Sequence, residues 1–249
     1  MPNFSKEVSK DSNAVCRAAA ERIVSVLAAA AEKKGKATIA LAGGSTPKAC
    51  YALMAADPLV KKLPWSKVHI YFGDERHVPP DHPDSNYRMA SESMLKVAPI
   101  SRDNVFPIAT DGKDVVADAE RFEKLLKSNF PGVDFPSFDL MLLGIGPDGH
   151  TASLFPGTPA PKEMTRWATW CDPNSFNPAI KPAVKRVTVT TPVIWNASQI
   201  FVLATGAEKT PMLSKIFADN EPQNAPVSRL LRKCKGTVTF FLDEAAAKF

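Results

Sequence analysis

Leu142-Leu143-Gly144-Ile145-Gly146-Pro147-Asp148-Gly149-His150-Thr151-Ala152-Ser153-Leu154-Phe155-Pro156-Gly157 decides how this chain is read. It completes an apolar run, Phe138 to Leu143, whose length and composition predict a buried strand. Glycine then turns the backbone, and the loop delivers an Asp and a His two residues apart. In an open α/β sheet, ligands are held by the loops that leave the carboxyl ends of strands. Histidine is the side chain whose ordinary pKa lies nearest neutrality, which suits general acid–base work. Position and residue type together point to an enzyme, with His150 and Asp148 as candidate catalytic residues.

The same residues spell Gly144-x-Gly146-x-x-Gly149, the short dinucleotide-binding pattern, with Asp172 at a distance suited to a ribose contact. Three features count against that reading. Pro147 removes a backbone N–H from the turn that would cradle a pyrophosphate. Asp148 and His150 stand where a smooth helix entrance is needed. Pro156 arrives too soon for a long crossover helix.

Strand and helix patterns alternate on either side of this loop. Residues 12 to 33 predict an Ala-rich helix stopped by Gly35. Thr38 to Ala42 predicts a strand, followed by Gly43-Gly44-Ser45-Thr46 and a helix opened by Pro47. Val68 to Phe72 predicts a second strand, running into a loop from Gly73 to Ser85. Helices are expected at Asn86–Val97, Asp114–Asn129, Glu208–Ala218 and Pro226–Arg232. Later strands are expected at Trp167–Cys171, Arg186–Thr190, Ile200–Ala204 and Thr237–Leu242. The Pro-rich stretch Pro156 to Pro182 is expected to be a long surface excursion. Such alternation predicts the α/β class: a mainly parallel sheet with helices on both faces. With 249 residues and 45% apolar content, one domain spanning 1–249 is the expectation.

No apolar run approaches the ~20 residues of a membrane span, and the polar start Met1-Pro2-Asn3-Phe4-Ser5-Lys6-Glu7 has no signal-peptide core. A cytoplasmic location is expected. Cys16, Cys50, Cys171 and Cys234 lack ligand-like spacing and read as reduced structural thiols. The net charge of +5 favours an anionic partner. Its basic residues are dispersed, so a small phosphorylated substrate fits better than nucleic acid.

Leu41-Ala42-Gly43-Gly44-Ser45-Thr46-Pro47 sits between a strand and a helix. Such a turn resembles a phosphate cradle without Walker spacing, or else a plainly capped helix. Gly43, Gly44, Ser45 and Thr46 are therefore candidate phosphate-binding residues. Tyr71-Phe72-Gly73-Asp74-Glu75-Arg76-His77-Val78 follows the second strand in the same way and makes Asp74 and Arg76 candidates, unless it is a solvated turn. His77, Asp81, His82 and Asp84 match no known metal-ligand spacing, and prolines stiffen the run, so no metal is expected. His69 alternates within a strand and reads as a packing residue. Lys209 and Arg186 become phosphate ligands only if a phosphate must be held by charge-assisted contacts.

Taken in order, these segments resemble the 6-phosphogluconolactonases. The likeness runs through Gly43–Pro47, Gly73–Val78 with Asp84-Ser85-Asn86-Tyr87, and Gly144–Gly157. It continues through Arg186–Thr190, Thr205-Gly206-Ala207-Glu208-Lys209 and Phe241–Ala246. The resemblance implies hydrolysis of 6-phosphoglucono-1,5-lactone in the oxidative pentose phosphate pathway, without a cofactor. It also implies a Rossmann-like fold shared with glucosamine-6-phosphate deaminases. His150 would then be the base that activates water, with Asp148 or Asp74 orienting it and Arg76 near the oxyanion or the phosphate. Pro226-Val227-Ser228-Arg229 is a loose match to the family segment, which leaves Arg229 open. The deaminases carry a Glu five residues after the His, where this chain has Phe155. A sugar-phosphate isomerase/deaminase, a nicotinamide dehydrogenase and a non-catalytic sugar-phosphate sensor are the competing expectations.

Overall fold

The apolar runs at 37–41, 68–72, 140–143 and 199–204 lie side by side, in the middle of one sheet. The computed structural model describes residues 4–111, 113–175, 180–218 and 226–249. The chain order begins β1 (Phe4–Ser9), α1 (Ser12–Lys34), β2 (Ala37–Leu41), α2 (Ser45–Met54), β3 (Val68–Phe72), β4 (Asp74–Arg76) and α3 (Asn86–Ala90). It continues with β5 (Val105–Phe106), α4 (Val115–Asn129), β6 (Leu140–Leu143), β7 (Ala168–Cys171), β8 (Arg186–Val189) and α5 (Thr191–Trp195). It closes with β9 (Gln199–Ala204), α6 (Thr210–Phe217), α7 (Pro226–Arg232) and β10 (Thr237–Asp243).

Seven strands form the main sheet in the order β1-β10-β9-β6-β2-β3-β5, and every neighbouring pair is parallel. All residues of β2 and β6 are buried, as strands are when layers cover both sheet faces. Helix α1 supplies part of that cover. Asp11 caps it by accepting the Ala14 N–H, and Gly35 ends it in the left-handed conformation, φ 74°. Its buried stripe, Val15, Ala19, Ile23, Leu27, follows the helical period. Truncating Ile23 or Leu27 to alanine would cost about 2–5 kcal/mol through the lost burial and the cavity left behind.

The mainly parallel α/β architecture agrees with the sequence reading, and several boundaries differ. Strand β1 was not expected, because four of its six residues are exposed and the polar run Ser5-Lys6-Glu7 breaks any strand alternation. It is specified by backbone pairing with β10, from Phe4↔Val238 to Ser9↔Asp243. Strands β7 and β8 leave the main sheet and pair antiparallel with β4 in a separate order, β4-β8-β7. So residues 74–76, read as loop, are strand. Val189 N–H donates to Gly73 O at 2.9 Å, which fastens this small sheet where β3 ends. Pro47 is the third residue of α2, not the first. The helix from Asn86 is α-helical only to Ala90 and widens to a π-turn over Ser91–Leu95.

The stretch from Pro156 to Pro182 is not a simple surface excursion. Trp167, Ala168 and Cys171 are buried, and Trp167 Nε1 donates to Asp134 O at 2.6 Å. Residues 176–179 of that stretch lie outside the described residues. Among the described residues, no helix is long and apolar enough to cross a membrane.

Candidate functional site

From β2 the chain steps outward to β3, and from β6 it steps the other way to β9, so the strand order reverses between β2 and β6. Such a switch point leaves a crevice at the carboxyl ends of the strands. A cavity of about 390 Å³ lies there, walled by the loops that follow these four strands. Nine of the sequence-selected residues line it: Gly43, Gly44, Ser45 and Thr46, then Asp74 and Arg76, then His150, Arg186 and Lys209. Asp148 stands directly behind His150.

The β2 loop is held from below. Buried Tyr51, on α2, both accepts the Ala42 N–H (3.0 Å) and donates to Ala42 O (2.8 Å). Gly43 follows, pressed against Asn86 so closely that a Cβ would sit 2.0 Å from Asn86 Oδ1. Gly44 precedes α2 with φ 112°, a conformation that favours glycine, and no side chain caps the helix. The amides of the first turn are thus left for a ligand, at the end where the helix dipole attracts negative charge. Exposed Ser45 and half-buried Thr46, whose hydroxyl pairs with Thr205 Oγ1 at 3.1 Å, flank them.

Glu75, 1% exposed, organises the next loop. Its carboxylate accepts the N–H groups of Arg76, Asn86 and Tyr87, each at 2.7 Å, and the Ser85 hydroxyl at 3.1 Å. Burial pushes this carboxyl up to about 6 against the pull of those backbone donors. The result is a fixed Asn86. It donates to Asp74 O (2.9 Å) and accepts from Arg76 Nη1 (2.6 Å). Asp74 in turn accepts a 2.6 Å hydrogen bond from Ser153 Oγ, in the β6 loop. Asn86 and Ser153 were quoted in the sequence only as parts of motifs. Nothing in an Asn or a Ser taken singly signals such bridging.

His150 Nδ1 lies 2.5 Å from Asp148 Oδ1, and the His150 N–H donates to the same oxygen at 3.1 Å. Burial pushes the Asp148 carboxyl up, but the hydrogen bonds from His150 outweigh it and hold the carboxyl below the usual range. An ionised carboxylate only accepts, so Nδ1 carries the proton and Nε2 is the basic nitrogen. Gly146 leaves the room: a Cβ there would meet His150 Nδ1 at 2.1 Å and Asp148 Oδ1 at 2.7 Å. Phe155, 3% exposed, lies against the imidazole with ring centroids 4.1 Å apart. Of the two aspartates left open by the sequence, Asp148 is the one on His150. Asp74 is spoken for by Ser153 and Asn86.

The cations divide. Lys209 Nζ donates to Ile145 O at 3.0 Å, which brings the ammonium across to the β6 loop. Arg186 is 3% exposed and spends hydrogen bonds on the carbonyls of Val184 (2.7 Å) and Pro182 (2.9 Å). Burial, then the neighbouring Arg76 charge, lowers its pKa. It braces residues 182–185 as well as lining the cavity. Lys181, exposed and also lining the cavity, was not singled out in the sequence. Arg229 is exposed and lines a different cavity. His77 turns away, its Nε2 3.0 Å from buried Asp118. With Asp111 these form the one group among the described residues close enough to share a cation, but Asp118 already pairs with Arg121. His69 stacks on Phe106, in keeping with a packing role.

The chain matches the family model for glucosamine-6-phosphate isomerases/6-phosphogluconolactonase over residues 10–240. It is 39% identical to a 6-phosphogluconolactonase of Nostoc sp., over 96% of this chain and 95% of that protein. Its structure resembles the 6-phosphogluconolactonase from Trypanosoma cruzi with a TM-score of 0.87 at 37% identity, covering 100% of this chain and 96% of that one. A monomeric glucosamine-6-phosphate deaminase shares the fold at 20% identity and a TM-score of 0.78, covering 98% of both chains. A match over residues 10–240, on a parallel sheet whose switch point brings these loops together, leaves one conclusion. The chain belongs to the glucosamine-6-phosphate isomerase/6-phosphogluconolactonase family.

Proposed function

We propose that the protein hydrolyses 6-phosphoglucono-1,5-lactone to 6-phosphogluconate, the oxidative pentose phosphate step that its 6-phosphogluconolactonase relatives are named for. The observation that carries this reading is His150, its Nδ1 occupied by Asp148, in one cavity with the uncapped start of α2.

A lactone carbonyl is already electrophilic, so a positioned water and a base suffice. His150 Nε2 takes a proton from water as its oxygen bonds to C1. The tetrahedral intermediate then collapses, the bond from C1 to the ring oxygen breaks, and the imidazolium returns the proton to that oxygen. Asp148 holds the ring and stabilises its charged form. The α2 amides with Ser45 and Thr46, and Lys209, receive the phosphate. Arg76 and Arg186 add positive field, and a dianion entering between them relieves their mutual repulsion. Asp74, braced by Ser153, accepts a sugar hydroxyl. Holding the remote phosphate fixes C1 against the water.

Lactone made in situ, with product followed through 6-phosphogluconate dehydrogenase, tests this. Catalysed hydrolysis well above the spontaneous rate is expected, and no acceleration would overturn the reading. The deaminase reading is disfavoured by Phe155, an apolar ring against His150 where the deaminases carry a carboxylate. Incubation with glucosamine 6-phosphate should release no ammonia. Turnover comparable to that on the lactone would replace one assignment with the other.

A further inference from the structure

A second cavity, of about 380 Å³, shares Thr151 with the catalytic cavity and is otherwise built from different residues. Its floor is apolar: Leu154, Val227 and Leu230 are buried and Trp195 stands beside them. Lys162, Arg229 and Lys233, all exposed, line it as well. Among the described residues no acidic side chain lines it, and none pairs with these three cations. Lys233 Nζ sits 5.3 Å from the centroid of the Trp195 ring, so cation and apolar surface are already joined.

One polar atom in its wall is orphaned. Thr151 is 2% exposed, and its Oγ1 has no hydrogen-bond partner among the described residues. Thr151 lines both cavities, so this unpaired hydroxyl belongs to the wall that they share. An apolar pocket with a few convergent polar groups is the usual form of a small-molecule site. Its floor suits an apolar skeleton, unlike the hydroxyl-rich sugar expected next door.

We infer that this second cavity is a binding site for a small organic anion built on an apolar body. The body lies on Leu154, Trp195, Val227 and Leu230. The acidic group meets Lys162, Arg229 and Lys233. None of this depends on which reaction the first cavity performs.

Anilinonaphthalenesulfonate, an aromatic sulfonate that fluoresces when held on apolar surface, is the probe. Titrated into the intact protein, it should show saturable binding at one site per chain. Arg229→Glu and, separately, Lys162→Glu should each weaken that binding by about tenfold or more, the scale of one charge-assisted contact. Both side chains are exposed and neither lines the catalytic cavity, so lactone turnover and thermal unfolding should match wild type. Should either variant fail to fold, Lys233→Glu serves in its place. Saturating 6-phosphogluconate should leave the probe bound. Unsaturable binding, equal affinity in the charge-reversed variants, or displacement by 6-phosphogluconate would each overturn the inference.

Discussion

The Asp74 carboxylate accepts a 2.6 Å hydrogen bond from the Ser153 hydroxyl, which joins the loop after β3 to the loop after β6. Asp74 also meets Asn86, which carries Arg76 on its other side. The acidic and basic groups of the cavity are therefore braced before any substrate arrives, which is the condition for electrostatic catalysis without reorganisation.

His150→Ala should remove most turnover on the lactone while leaving the fold and phosphate binding intact. Loss of a general base lowers rates by about 10²–10⁴-fold. The test is kcat in the coupled assay after subtraction of spontaneous hydrolysis. A corrected value close to wild type would show that another group activates water.

Asp148→Asn should lower kcat by up to about 10⁴-fold, the scale of loss when an aspartate that fixes the tautomer of a general-base imidazole becomes an amide. It also carries a pH signature. Asp148 is more acidic in the folded chain than an ordinary aspartate. Its contribution to stability is therefore present above the usual carboxylate range and is lost as pH falls through and below it. The Tm gap between wild type and Asp148→Asn should shrink in acid. A gap that widens there would reverse the sign of the argument.

Gly146→Ala and Gly43→Ala should damage activity by different routes. At 146 the methyl collides with the His150–Asp148 pair, so kcat should fall while KM is largely kept. At 43 it collides with Asn86, which frees Arg76 and Asp74 and deforms the phosphate loop, so KM should rise as well. Steady-state kinetics of the two variants, with circular dichroism to confirm folding, separates these effects.

Lys209→Ala should raise KM for the phosphorylated lactone much more than for unphosphorylated gluconolactone. One charge-assisted contact is worth about 1.5–3 kcal/mol. Arg186→Ala should act on both substrates and lower Tm too, because its guanidinium also holds the carbonyls of Val184 and Pro182. Equal losses on both substrates for Lys209→Ala would move that lysine to the lactone end.

What the sequence made legible follows the physics of each element. Strands β2, β3, β6 and β9 announced themselves because strands buried on both faces must be apolar throughout, as Leu140–Leu143 is. The loops after them were legible because Gly43-Gly44 and Gly144-x-Gly146 stand where a strand must stop. Strand β1 was hidden because its pairing with β10 is a backbone matter. The roles of Arg186 and Asn86 were hidden for a related reason. A cation in a sequence looks the same whether it waits for phosphate or is spent on carbonyls, as Arg186 partly is. Asn86 matters through Gly43, Asp74 and Arg76, three residues brought to it by folding alone.

The order β9-β6-β2-β3 places neighbours in space that the chain visits far apart. The proposed phosphate cradle is drawn from one end of the sequence, the proposed base from its middle and Lys209 from near the other end. No single fragment of the polypeptide holds the whole of the proposed active centre, so a half-made chain lacks part of it. Turnover per mole of protein is therefore a gauge of completed folding, and it should vanish in step with global unfolding rather than fade loop by loop.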